Sequence, residues 1–309
     1  MKVGFIGLGT MGKGMAANIQ RAGYDLVVND LNKTSAESFV EKGASWAQTP
    51  RALAEQCDVI FTSLPTPVDV EAVANGPDGV SDALKPGAAW FDLSTNSVDG
   101  VRQLQASLAE KGVAFLDAPV SGGPQGAASG KMAIWVGGDK DAFDRFADVL
   151  SSMSNALRHI GPIGAGTIAK LTHNMASAAL SSLMAEVFSM GVKAGVDPLP
   201  LWAAIRQGAT GRQRTFERIG ERFLAQPFDH PTFALRLIQK DVNLALKLGR
   251  EVGVPMNMCE LVGKDLQEAM DRGWAGRDAH TYMLLQWERA GLPDLTTTVQ
   301  DVREVEAEG

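Results

Sequence analysis

The fold is decided by "VGFIGLGTMGKGMA", residues 3 to 16. A short apolar run meets Gly7, Gly9 and Gly12 in G-x-G-x-x-G spacing, with Leu8, Thr10 and Met11 between them. Helical periodicity then takes over across residues 11–22. In such a motif the first glycine allows a tight turn, the second lets backbone approach a pyrophosphate, and the third lets the helix pack on the strand. The amides opening the helix would then face the phosphates. Taken alone the spacing is weak evidence, but here it follows a strand, opens a helix and precedes a second strand ending in "VVNDLN". Asp30 lies roughly 20 residues on, where a carboxylate can accept from both ribose hydroxyls and would repel a 2′-phosphate. Leu31 and Asn32 follow it rather than an arginine. The cofactor read from these residues is NAD, with NADP left open by Lys33. The bland alternative is a glycine-rich turn that binds nothing.

The same alternation continues outward from the motif. Apolar strand-like runs at 3–6, 26–28, 59–64, 89–93 and 114–116 are separated by helical stretches such as 34–41 and 97–110. Short β-rich runs punctuated by amphipathic helices call for a parallel sheet covered on both faces. "KMAIWVGG" with residues 139–150 extends that pattern. After the glycine-rich joint "HIGPIGAG" the strands stop and helical periodicity runs to about residue 290. The expected fold is α/β, an N-terminal doubly wound Rossmann-type sheet with a C-terminal all-helical domain joined by a long helix. Its parts are 1–164 for the nucleotide, 165–293 for substrate and oligomerisation, and 294–309 as a frayed acidic tail.

Composition sets limits on partners. The 309 residues are 45% hydrophobic and 21% charged, with a net charge of −7 that argues against nucleic acid. Two distant cysteines, Cys57 and Cys259, suggest no disulfide framework and hence a cytoplasmic home. "MKVGFIGLG" enters a strand at once, leaving no room for a signal peptide. The uncharged run 171–185 is shorter than the roughly 20 apolar residues of a membrane span. It also carries His173, Asn174, Ser177, Ser181 and Ser182, so it reads as a core helix and no membrane is expected.

That helix raises the chemical question. "GTIAKLTHNMASAALSSLMAEVFSMGV" holds only Lys170 and Glu186 as charged residues. Burying an ammonium is costly unless something pairs with it or uses it, although a lysine on a solvated first turn is the default. Lys170 and Asn174, four apart, share one helix face. "DAPVSGGPQGAASGKMAIWVGG" offers Ser121, Gly122 and Gly123, a hydroxyl and two unhindered amides that suit a carboxylate. "FALRLIQKDVNLAL" places Lys240 and Asp241 in another apolar helix. The four histidines, His159, His173, His230 and His280, show no ligand spacing, so no metal is expected.

Together these segments, over residues 2 to 289, resemble the β-hydroxyacid dehydrogenases, the family of 3-hydroxyisobutyrate dehydrogenase. The resemblance implies an NAD-dependent oxidoreductase that interconverts a short 3-hydroxy acid and its semialdehyde or oxo acid. It matches Lys170 to the catalytic lysine and Asn174 to its substrate-orienting partner. Ser121, Gly122 and Gly123 match the carboxylate-binding run, and Arg212 a position near the substrate mouth. Leu64 and Pro65 of "TSLPTP", Thr95 of "DLSTNS" and Lys240 match positions that touch the cofactor. A partly desolvated lysine has a lowered pKa and can take the hydroxyl proton in oxidation and return it in reduction. The expected ligands are a small anionic hydroxy acid or semialdehyde, and the family implies a homodimer or homotetramer.

Two departures define the rivals. His173-Asn174 stands where many relatives have Asn-Asn, as in the K-x-x-H-N of 6-phosphogluconate dehydrogenase, but that enzyme's glutamate seven residues after the lysine is Ser177 here. Lys131 stands where threonine is common, and with Arg212 and Arg214 it raises a larger or doubly anionic substrate, a solvated loop lysine being the plainer reading. Imine reductases share the fold and generally lack the lysine. A non-catalytic cofactor-binding scaffold would lack it too and would carry basic accessory regions.

Overall fold

The structure is a computed structural model that describes residues 1–208, 211, 219–251, 253 and 256–307. Its contacts divide the chain into two compact units, Met1–Thr172 and His173–Gly309. The helix that starts at Ala165 runs across the division between them.

In the first unit, β1 (Lys2–Ile6), β2 (Asp25–Asn29), β3 (Ser45–Trp46), β4 (Val59–Thr62), β5 (Ala89–Asp92) and β6 (Ala114–Asp117) run parallel. Their spatial order is β3-β2-β1-β4-β5-β6, the doubly wound order of dinucleotide-binding sheets. Alternate residues serve opposite layers, as a pleated strand requires. Val3, Phe5, Val59, Phe61, Ala89 and Phe91 face one core, with Met15 and Ile19 of α1 (Gly12–Arg21) above them. Ile6, Ile60, Trp90 and Phe115 face the other. There they meet Leu53, Val70 and Leu104 of α3 (Pro50–Ala54), α4 (Pro67–Asn75) and α5 (Val98–Ala109), helices that follow the short α2 (Glu37–Val40). Register puts Phe5 beside Phe61 and Phe61 beside Phe91, and their rings stack at 6.3 and 5.5 Å. Both faces are covered, which is why these strands read as continuous apolar runs rather than alternating ones.

The last unit departs from the expected continuation. After β6 the chain passes through β7 (Val120–Ser121) and α6 (Gly123–Ser129) and returns as β8 (Met132–Gly137), antiparallel to β6. The intervening stretch turns the chain back instead of carrying it over the sheet, so the direction reverses. α7 (Lys140–Ser151) then leads to β9 (Ser154–Gly161), parallel to β8.

The second unit is helical among its described residues. α8 (Ala165–Lys193) begins in the first unit, and α9 (Pro198–Gln207), a π-helical turn Gly220–Leu224, α10 (Leu235–Glu251), α11 (Asn257–Asp271) and α12 (Met283–Arg289) follow. Phe188, Phe223, Phe228 and Trp287 form a ring cluster with centroid separations from 5.6 to 6.4 Å. The tail expected to fray carries a helix, α13 (Val299–Ala307), with Val302 buried near Gly220. Val302 is the apolar position that the polar composition conceals. Among the described residues no helix is long and apolar enough to cross a membrane.

Candidate functional site

In a doubly wound sheet the ligand crevice opens at the C-terminal ends of the strands, where the strand order reverses. Here that point lies between β1 and β4, so the loops after them flank it. Gly7 has φ +94°, and a Cβ there would come 2.4 Å from Ser63 O. A Cβ at Gly12 would meet Gly7 O at 1.9 Å, so the first turn of α1 rests on the loop. A Cβ at Gly9 would meet no protein atom within 4 Å. The protein's own packing therefore makes no demand for glycine at 9, whereas a pyrophosphate approaching the backbone does.

The helix N-terminus supports that reading. α3, α4, α5 and α7 each begin with a side-chain oxygen accepting an amide, from Thr49, Thr66, Ser97 and Asp139. α1 begins at Met11, which makes no side-chain cap bond, and has no acidic residue in its first turn. Its amides suit an external anion. Leu8 is buried, while Gly9 and Thr10 are exposed. Asp30, just past β2, turns toward this loop: the Leu8 amide donates to Oδ2 at 2.6 Å and the Asn32 amide to Oδ1 at 2.8 Å. Each oxygen keeps a lone pair for a ribose hydroxyl. These residues fit a dinucleotide.

Sequence reasoning missed what holds the facing loops. Asp92, at the end of β5 and 1% exposed, accepts from Thr62 Oγ1 at 2.8 Å, the Ser94 amide at 3.1 Å and Asn96 Nδ2 at 3.0 Å. Ser94 Oγ in turn accepts from the Leu64 amide at 2.9 Å, and Trp90 Nε1 donates to Thr62. Burial pushes the Asp92 carboxyl above the usual carboxylate range, against the pull of these neutral donors. The network ties Leu64 and Pro65 after β4 to the loop bearing the half-buried Thr95. The available signal was a carboxylate in the apolar run "WFDLS" at a strand's C-terminal end.

Ser121 pairs with Ala133 across β7 and β8, and the chain then turns through Gly122 at φ +145° and Gly123 at φ +61°. Non-glycine residues rarely adopt such angles. Lys131, in the turn before β8, is exposed.

On α8, Lys170 is half-buried and Asn174 is buried one turn later. Asn174 Nδ2 donates to Asp241 Oδ2 at 2.6 Å, and only this amide orientation presents a donor to a carboxylate. Asp241, 2% exposed, is the polar member of the buried stripe of α10. The half-buried Lys240 places Nζ 2.9 Å from Asp241 Oδ1, an ion-pair contact without hydrogen-bond geometry. His173 is exposed, with Nδ1 3.1 Å from Asn174 Oδ1. Arg212 and Arg214 lie outside the described residues.

Residues 2–161 match the family model described as the NAD binding domain of 6-phosphogluconate dehydrogenase. Residues 164–286 match the model described as the NAD-binding of NADP-dependent 3-hydroxyisobutyrate dehydrogenase. The chain is 35% identical to a 2-(hydroxymethyl)glutarate dehydrogenase of Eubacterium barkeri, over 94% of this chain and 95% of that one. It is 32% identical to an NAD-dependent L-serine dehydrogenase of Pseudomonas aeruginosa, over 90% and 95%. A solved 3-hydroxyisobutyrate dehydrogenase from Mycobacterium tuberculosis, with L-serine, superposes with a TM-score of 0.80 at 30% identity, covering 92% of this chain and 98% of that one. The chain belongs to the β-hydroxyacid dehydrogenase family, NAD(P)-dependent oxidoreductases acting on a CH–OH group.

Proposed function

We propose that this family member interconverts a short 3-hydroxy acid and its semialdehyde or oxo acid, with NAD as the preferred cofactor and Lys170 as general acid/base. The reading is carried by one observation: Lys170 and Asn174 lie one turn apart on α8, the second with its amide set by a buried carboxylate. Relatives support the substrate class. 2-(Hydroxymethyl)glutarate and L-serine, named for two of them, share a primary alcohol one carbon removed from the carbon bearing a carboxylate.

Bound NAD supplies a hydride acceptor. The Lys170 amine takes the proton from the substrate hydroxyl oxygen in oxidation and returns it in reduction, a task worth roughly 10²–10⁴-fold. Asn174, with one amide proton committed to Asp241, donates its second to the substrate oxygen and adds no charge. Ser121 Oγ and the amides of Gly122 and Gly123 donate to the substrate carboxylate. Asp30 favours NAD, because a 2′-phosphate would meet its charge and Leu31 offers no counter-ion. Lys240 contacts the cofactor and Arg212 the outer part of the substrate. Residues 1–164 and 165–293 act as the nucleotide and substrate domains, the family resemblance carries a homodimer or homotetramer, and the two distant cysteines carry a cytoplasmic home.

The test is an NADH absorbance assay over hydroxyisobutyrate, glycerate, serine, threonate and hydroxypropionate, with both cofactors. Turnover of at least one of these, more efficient with NAD, is expected. A protein that binds cofactor yet turns over none of the panel contradicts the reading.

A further inference from the structure

α8 carries the proposed proton carrier but supplies no capping side chain of its own. The Ile168 amide donates to Gly164 O at 2.9 Å, the first intrahelical bond, which makes Gly164 the N-cap residue. Gly164 has φ +92° and no side chain to offer. The oxygen comes instead from Asp117, at the end of β6. Its Oδ1 accepts from the Gly164 amide at 2.7 Å and its Oδ2 from the Thr167 amide at 2.6 Å. Thr167 is the third helical residue, the one whose amide a local serine or aspartate cap would take.

Tight backbone packing surrounds this join. A Cβ at Gly166 would meet Trp135 O at 2.3 Å and Asp117 O at 2.8 Å. A Cβ at Gly137 would meet Asp117 Oδ1 at 2.5 Å and the Ala165 amide nitrogen at 2.9 Å. Asp117 is 1% exposed, and four residues after it the chain reaches Ser121. One carboxylate thus pins the start of the helix three residues before Lys170 to the strand that leads into the proposed carboxylate cradle.

We infer that Asp117 is a positioning residue for Lys170: by capping α8 from β6 it fixes the height and rotation of the lysine relative to Ser121–Gly123. The inference rests on the reading of Lys170 as proton carrier. Asp117, buried and with both oxygens committed to the Gly164 and Thr167 amides, acts through the helix. A displacement of about 1 Å at a reacting group can cost on the order of 10²-fold in rate. Asp117→Asn keeps the shape but sets an N–H against one of the two amides, so one bond is lost.

The experiment is a double-mutant cycle of Asp117→Asn and Lys170→Ala, read as kcat, KM and cofactor Kd. Asp117→Asn should lower kcat about 10- to 100-fold, with cofactor Kd unchanged, and should add little in the Lys170→Ala background. Additive losses, or a loss confined to cofactor Kd, overturn the positioning role. Full activity of Lys170→Ala alone would instead overturn the proton-carrier reading, so the two failures are distinguishable. If Asp117→Asn does not fold, the unaltered protein still decides. The Gly164 and Thr167 amides should exchange hydrogen as slowly as interior amides of α8, and exchange at loop rates overturns the cap.

Discussion

At the nucleotide loop, Gly7 is held by its own φ of +94° and by Ser63 O, and Gly12 by the carbonyl of Gly7. In the helical unit, Asn174 owes its orientation to one carboxylate, Asp241, 67 residues away. The first arrangement is written into the backbone, where few residue types fit and they fit at fixed spacing. The second depends on a single pair of side chains that could sit at many positions of two helices. Backbone constraint makes a site robust and recognisable, whereas side-chain pairing makes it adjustable and hard to foresee.

The largest expected effect breaks the backbone side of the comparison. Gly12→Ala should destabilise the protein by about 1–3 kcal/mol or more, because the added carbon overlaps Gly7 O and neither backbone can yield. Gly9→Ala should leave thermal stability unchanged, since its added carbon meets no protein atom within 4 Å, and should weaken cofactor binding. Equal loss of stability in both variants, by thermal unfolding, would remove the distinction.

Asp241→Ala probes the other side. It leaves the buried Asn174 amide unsatisfied, at a cost of about 1–3 kcal/mol. Turnover should fall about 10-fold, and cofactor binding, measured by fluorescence, should weaken less, through the loss of the ion pair to Lys240. Unaltered turnover would show that the orientation of Asn174 does not matter.

A smaller effect concerns cofactor choice. Asp30→Ala combined with Leu31→Arg should raise the ratio of NADP to NAD efficiency by about 10-fold, the scale of one hydrogen bond to a charged group. Part of the change will appear as weaker NAD binding, because Asp30 also holds the Leu8 amide. A fixed ratio would mean that the end of β2 does not face the ribose.

The contrast also accounts for what the sequence disclosed. The parallel core of the sheet, the glycine loop and Asp30 were readable because strand period and glycine spacing are local properties. The reversal of β8 was not, since nothing in "KMAIWVGG" records the direction in which the chain re-enters the sheet. The Asp92 network and the Asp117 cap join residues from separate strands and loops, and their partners are backbone amides that no residue type marks. The spacing that sets Lys170 and Asn174 on one helix face is local, but nothing in the sequence pairs Asn174 with Asp241, which stands out only as the neighbour of Lys240. The tail helix is concealed by its charge, because Val302 is the buried apolar residue among its described positions.

The central claim is that the Lys170 amine carries the substrate proton, and single-turnover hydride transfer in Lys170→Ala, with cofactor Kd measured alongside, tests it most directly. The account predicts transfer at least ~10²-fold slower with cofactor affinity nearly intact. Transfer at the rate of the unaltered protein would contradict it.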